Sequence, residues 1–121
     1  MEAPYMLFDV FTDVALAGNP LAVFPEPPFD DDDELMQRIA RELNLSETVF
    51  LRPGGEDGAV ATLRIFTPAR EVMFAGHPTV GTAIALTDHL WWIGPNETQF
   101  VLRERIGDVP VAVDRGAPTV A

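Results

Sequence analysis

Phe74-Ala75-Gly76-His77-Pro78-Thr79-Val80-Gly81-Thr82 places a histidine, flanked by glycine and proline, at the mouth of an apolar helix. From Thr79 to Leu86 the helix body carries no charge and is built from Val, Gly, Thr, Ala, Ile and Leu. A helix with no polar face is buried on every side. Pro78 suits the first helical position, where a missing N–H costs nothing, and His77 is then the expected N-cap. The first N–H groups of a helix have no partner within it. With the positive end of the macrodipole they form a natural carboxylate site.

The remaining elements arrange themselves around that helix. Met6 to Phe11 reads as a first strand, Ala17-Gly18-Asn19-Pro20 as a turn, and Leu21 to Phe24 as a second strand. Four acids, Asp30 to Asp33, lead into a helix from Asp33 to Leu43. Leu35, Met36, Ile39, Ala40 and Leu43 form its apolar stripe, opposite Arg38, Arg41 and Glu42. The acids suit a helix N-terminus, and they lack the interleaved glycine and closing glutamate of a calcium loop. Asn44-Leu45-Ser46 ends this helix and Glu47 to Leu51 continues as a strand. Pro53 to Gly58 is a hairpin-type turn, Ala59 to Phe66 the returning strand, and Arg70 to Phe74 another short one. The buried helix runs to about Leu90, with Trp91-Trp92-Ile93 after it. Gln99 to Arg103 and Val109 to Val113 make a closing hairpin, and Asp114 to Ala121 has no pattern.

The expected fold is α+β: a mostly antiparallel sheet wrapped around a central apolar helix, with an outer amphipathic helix. Most connections are too short for parallel crossovers. At 121 residues, without repeat or linker, residues 1–121 form a single domain.

Composition narrows the function. Nineteen acidic and eight basic residues give a net charge of −11, with no basic cluster to grip nucleic acid or an anionic membrane. Cysteine is absent, which excludes disulfides and thiolate catalysis. No apolar run approaches the roughly 20 residues of a membrane span, and the N-terminus lacks a secretory pattern. A cytoplasmic protein is expected. No glycine-rich nucleotide fingerprint or phosphate loop occurs, so no cofactor is expected. Two histidines, His77 and His89, without cysteine make no zinc set, and Ser46 lacks a nucleophile elbow.

Two residues remain as candidates for chemistry. Glu47 heads an apolar strand, where partial burial would raise its pKa and suit it to carry protons near neutrality; the plainer reading is an exposed strand-end glutamate. His77 is either a catalytic imidazole or a helix cap. Asp9 reads first as a solvent-facing strand acid, and Asn19 as a turn residue whose amide can meet a ligand. His89, at a helix end, reads as structural.

Read together, six segments resemble the PhzF-like phenazine-biosynthesis family, whose fold is that of diaminopimelate epimerase. They are Asp9-Val10-Phe11-Thr12, Gly18 to Phe24, Met36-Gln37 with Ile39-Ala40, Asn44 to Phe50, Arg64 to Pro68, and Phe74 to Ala83. The resemblance covers nearly the whole chain, but only the first of the family's two lobes. It implies a cofactor-free isomerase in which Glu47 is the general acid/base and His77 orients or polarises the substrate. The N–H groups at Gly76 and His77 would hold a substrate carboxylate, with Asn19, Ser46 and Asp9 as further substrate contacts. It also implies a small cyclic carboxylate substrate, no metal, and a partner that completes the site, either a second copy in a homodimer or a complementary second lobe. A non-catalytic lobe serving as a ligand-binding or interaction module is the alternative.

Overall fold

The computed structural model describes residues 3–10, 19–29, 32–54, 58–90, 92–94 and 96–113, without the side chains of Asp9, Val10 and Asn19. Among the described residues, seven strands form one sheet: β1 (Met6–Val10), β2 (Asn19–Pro25), β3 (Glu47–Pro53), β4 (Ala61–Phe66), β5 (Glu71–Val72), β6 (Gln99–Glu104) and β7 (Gly107–Ala112). They lie in the order β1-β2-β3-β4-β6-β7, with β5 beside β4. The described residues also form two α-helices, α1 (Asp33–Leu43) and α2 (Gly76–Ile84). The expected elements are present, with boundaries shifted by a few residues.

The sheet is largely antiparallel, as expected, but two pairings are parallel: β2 with β3 and β4 with β6. Each lies at a place where a helix spans the connection, α1 in the first case and α2 in the second, which is the length a parallel crossover requires. Asn19 and Pro20, expected in a turn, instead begin β2 and pair with Val10 and Asp9. Phe11, Ala17, Gly18, Asp30, Asp31, Trp91 and the segment 114–121 lie outside the described residues.

Strand alternation sorts side chains onto two faces. On one face Leu21, Val23, Val49, Leu51, Leu63, Ile65, Phe100 and Leu102 pack with Ala83 of α2 and with Leu86, just beyond its end. On the other, Ala22, Phe24, Phe50 and Phe66 pack with Met36 and Ala40 of α1. Rings on this second face stack in series, Tyr5 on Phe24 at 5.0 Å and Phe24 on Phe50 at 5.1 Å between centroids.

The ends of α1 follow its sequence. Asp32 caps it by accepting the Leu35 N–H at 3.2 Å, and Asn44 closes it in the left-handed conformation, φ 53° and ψ 39°. Near its start, a cluster ties α1 to the sheet. Arg64 of β4 holds Glu71 of β5 through two hydrogen bonds of 2.8 and 2.7 Å, and reaches Asp33 of α1 at 2.7 Å. Arg105 joins Glu71 at 3.2 Å.

The central helix departs from expectation in three respects. It begins at Gly76, with Ala75 as an extended N-cap (φ −150°, ψ 139°), so His77 is the second helical residue and Pro78 the third. Proline is still accommodated, because no intrahelical bond is required of the first N–H groups. Its last turn widens into a π-helical segment, Ala85–His89. Finally, Pro78, Thr79, Gly81, Thr82 and Ala83 are buried, whereas Val80 and Ile84, four residues apart on one stripe, are only half-buried. Burial is therefore not uniform around this helix. His89, at the end of the π segment, meets the edge of Phe8 at 5.3 Å.

Candidate active site

The site forms where the head of β3 meets the first turn of α2. Alternation places Glu47 in step with Val49 and Leu51, whose side chains enter the core around α2. The register pairs Glu47 with Leu21 of β2, so β2 and β3 begin at the same end of the sheet. From that end Glu47 Oε2 reaches His77 Nε2 at 2.7 Å, with side chains 15 % and 12 % exposed respectively. The contact has ion-pair distance but not the alignment of a hydrogen bond.

Burial raises the Glu47 carboxyl above its ordinary value of 4.5, and the nearby His77 charge draws it partly back. Desolvation wins, so the carboxylate is a stronger base than an exposed glutamate. Beside it, the helix start supplies a second electrostatic feature. Gly76 and His77 are the first two residues of α2, where N–H groups lack intrahelical acceptors and the macrodipole is positive. Gly76 is exposed, and a methyl group at its Cα would meet nothing within 4 Å. A carboxylate can approach that end closely.

Of the other expected contacts, Ser46 is exposed at the residue before β3. Asp9 and Asn19 lie in β1 and β2, at the strand positions opposite Pro20 and Val10, and their side chains lie outside the described residues. Two surface clefts of about 410 and 460 Å³ lie elsewhere, one lined by Asp33, Gln37, Arg41 and Glu71, the other by Phe100, Val101 and Pro110. The Glu47–His77 pair belongs to neither.

One buried acid near α2 escaped the sequence reading. Glu104, 4 % exposed, ends β6. Its Oε2 lies 2.7 Å from Thr79 Oγ1, and the same hydroxyl lies 2.8 Å from the Ala75 carbonyl oxygen. The signal was present: Phe100, Leu102 and Glu104 share one alternation class, and the first two belong to the α2 core. Among the described residues, no three acidic or histidine side chains gather so as to hold a metal ion. No helix among them is long and apolar enough to cross a membrane.

Comparison with known proteins agrees with this architecture. The chain is 52% identical over 111 residues to an uncharacterised isomerase from Mesorhizobium japonicum, covering 92% of this chain and 36% of that protein. It is 46% identical over 114 residues to the trans-2,3-dihydro-3-hydroxyanthranilate isomerase of Pseudomonas aeruginosa, covering 92% and 37% respectively. The chain thus spans little more than a third of the length of these curated relatives. Among solved structures, a phenazine biosynthesis protein of the PhzF family from Enterococcus faecalis superposes with a TM-score of 0.80 at 33% identity, over 94% of this chain and 41% of that one. A hydroxyproline epimerase from Agrobacterium vitis, 16% identical with a TM-score of 0.67 over 88% of this chain and 36% of that one, shares the fold. The family model for phenazine biosynthesis-like proteins matches residues 8–120. The chain belongs to the phenazine biosynthesis-like protein family.

Proposed function

We propose that this chain is one lobe of a cofactor-independent isomerase that moves a proton on a small cyclic carboxylate. The observation that carries the reading is the 2.7 Å contact of Glu47 with His77 at the start of α2. Glu47, desolvated and raised in basicity, removes a proton from a ring carbon and returns it to another position, so that the atoms balance without a redox partner. His77 orients or polarises the substrate, and the amides of Gly76 and His77 at the positive helix end hold its carboxylate. Asn19, Ser46 and Asp9 are proposed as further substrate contacts. The relative that isomerises trans-2,3-dihydro-3-hydroxyanthranilate suggests an amino- or hydroxy-substituted cyclohexadiene carboxylate. General acid/base help of this kind contributes about 10²–10⁴-fold.

Glu47 and His77 keep 15 % and 12 % of their side chains exposed, and a facing wall would exclude water from that remaining surface. Two apolar side chains just before α2 are exposed, Met73 at 62 % and Phe74 at 46 %, and Ile106 is exposed at 60 %. The Ile106 N–H donates to the Met73 carbonyl at 3.2 Å, which brings these two residues together. We propose that a complementary lobe or a second copy of the chain completes the site, and that the protein works in the cytoplasm.

Turnover of trans-2,3-dihydro-3-hydroxyanthranilate, with the solution mass measured alongside, tests the proposal. Glu47→Gln abolishes turnover if the reading is right; unchanged activity in that variant rules it out. The same exposed apolar residues favour a second reading, a non-catalytic lobe that binds a ligand or partner. Calorimetric binding of a cyclohexadiene carboxylate without turnover, unchanged by Glu47→Gln, would select that one.

A further inference from the structure

Glu104 and Thr79 lie outside the proton-transfer pair, yet they act on the same helix turn. Thr79 has one hydroxyl hydrogen and two close oxygen neighbours, the Ala75 carbonyl at 2.8 Å and Glu104 Oε2 at 2.7 Å. If Glu104 is ionised, both neighbouring oxygens compete for that single hydrogen, and one short contact is left between two acceptors. If Glu104 carries a proton, both contacts are satisfied: the acid donates to Thr79 Oγ1, and Thr79 donates to the carbonyl. Glu104 Oε1 is buried without a hydrogen-bond partner among the described residues. A carbonyl oxygen tolerates that position far better than half of a carboxylate. Burial raises the Glu104 carboxyl above its ordinary 4.5, with the Thr79 hydrogen bond drawing it partly back. Titratable side chains of the surrounding elements are engaged elsewhere: Arg103 with Asp108, Arg105 with Glu71, and His77 with Glu47.

We propose that Glu104 stands in the fold as a neutral carboxylic acid and is a positioning residue, clamping Thr79 and the Ala75 carbonyl so that the first turn of α2 holds His77 against Glu47. Ala75 has no side-chain cap of its own; the relay from Glu104 through Thr79 instead fixes its carbonyl oxygen and leaves the first N–H groups of α2 free of it. A neutral Glu104 also leaves the positive helix end to an incoming anion. This second consequence rests on the proposed isomerase reading; the clamp itself does not.

The test uses the 121-residue chain with carbon-13 in its glutamate carboxyls, the Glu104 signal being assigned by its loss in Glu104→Gln. Glu104 is expected to stay protonated while exposed glutamates titrate near 4.5, the ordinary value. A Glu104 signal that ionises together with them overturns the proposal. The imidazole resonances of His77 supply a second readout. Thr79→Val and Glu104→Leu are expected to shift them, and Glu104→Gln, whose amide N–H₂ can still donate to Thr79, to restore them. Unchanged His77 signals in both disruptive variants, or a glutamine variant displaced as far as the leucine one, overturn the clamp. Should Glu104→Leu fail to fold, Thr79→Val carries the test, since it exchanges a hydroxyl for a methyl of similar shape. Where turnover is measurable, Thr79→Val lowers kcat about tenfold to a hundredfold at little cost in KM, as expected for a misplaced catalytic group. Absent turnover with these resonance shifts intact would sink the isomerase reading and leave the clamp standing.

Discussion

Glu47 Oε2 and His77 Nε2 lie 2.7 Å apart, which joins the first residue of a strand to the second residue of the central helix. Neither local element could place the pair alone. The carboxylate is aimed by strand alternation, and the imidazole is aimed by a helix start that comes two residues earlier than the proline implies.

That contact sets the pH dependence of any chemistry carried by Glu47. A base must be ionised to accept a proton, and burial raises this carboxyl above 4.5. The acid limb of kcat/KM should therefore fall above that value. Because the His77 charge acts to lower Glu47, removing the imidazole in His77→Asn leaves desolvation unopposed. The limb should then move to still higher pH, while kcat drops about a hundredfold or more. A pH–rate profile of both forms checks this, and a carboxyl titration followed by NMR gives the same answer without turnover. A limb that moves down in His77→Asn would contradict the assignment.

Much of this was legible in the chain, for identifiable reasons. The apolar stretch from Thr79 to Leu86 announced a core helix, although burial on every side was expected and Val80 and Ile84 are only half-buried, and the stripe of Met36 and Ala40 announced an outer one. Glu47 and His77 stood out because each is a polar residue at the entrance of an apolar element. What escaped depended on distant partners. The π-helical widening after Ile84 leaves no mark in residue type. Asn19-Pro20 carries turn chemistry, but pairing with β1 draws it into a strand. Arg64, Glu71 and Arg105 converge from separate segments, and no spacing rule links them. Glu104 was concealed among charged neighbours: Arg103 and Arg105 on either side disguise a residue whose alternation points inward.

Glu104 gives a stability prediction of definite sign. A carboxyl raised in the folded state is equally neutral in folded and unfolded chains at low pH. As pH rises past the unfolded value, the unfolded chain ionises first, and the folded state loses relative stability until its own carboxyl ionises. Urea denaturation of the wild-type chain should show this decline, and Glu104→Gln should remove that contribution. Parallel curves for the two proteins would count against a neutral Glu104.

The Arg64 cluster should behave in the opposite sense. Burial pushes the Glu71 carboxyl up, but hydrogen bonds from Arg64 and Arg105, together with their charges, outweigh it and leave the group lowered. Its contribution is present above the ordinary carboxylate value and is lost as pH falls through the lowered one. Arg64→Met leaves Glu71 with Arg105 in place of two arginines, and the loss of two charge-assisted hydrogen bonds should cost about 2 kcal/mol at neutral pH. Glu71→Gln should flatten the acid side of the stability profile. Denaturation midpoints from neutral pH down through the carboxylate range measure both effects.

Two glycines should respond oppositely to the same substitution. A methyl group at Gly54 would lie 1.7 Å from the Ala59 carbonyl oxygen and 2.9 Å from the Val60 carbonyl carbon. The backbone there cannot yield cheaply: the Gly54 N–H donates to Val60 at 2.8 Å, and the Val60 N–H donates to Val101 of β6 at 2.9 Å. Gly54→Ala should therefore cost about 3 kcal/mol, at the upper end for overpacking. At Gly76 the added methyl meets nothing within 4 Å, and the residue is already helical. Gly76→Ala should leave stability unchanged or raise it by up to about 1 kcal/mol. It would also place a methyl beside the amide proposed to hold the substrate carboxylate, raising KM with little change in kcat. Thermal unfolding separates the two glycines, and a Gly76→Ala variant with unaltered KM would move carboxylate binding away from the start of α2.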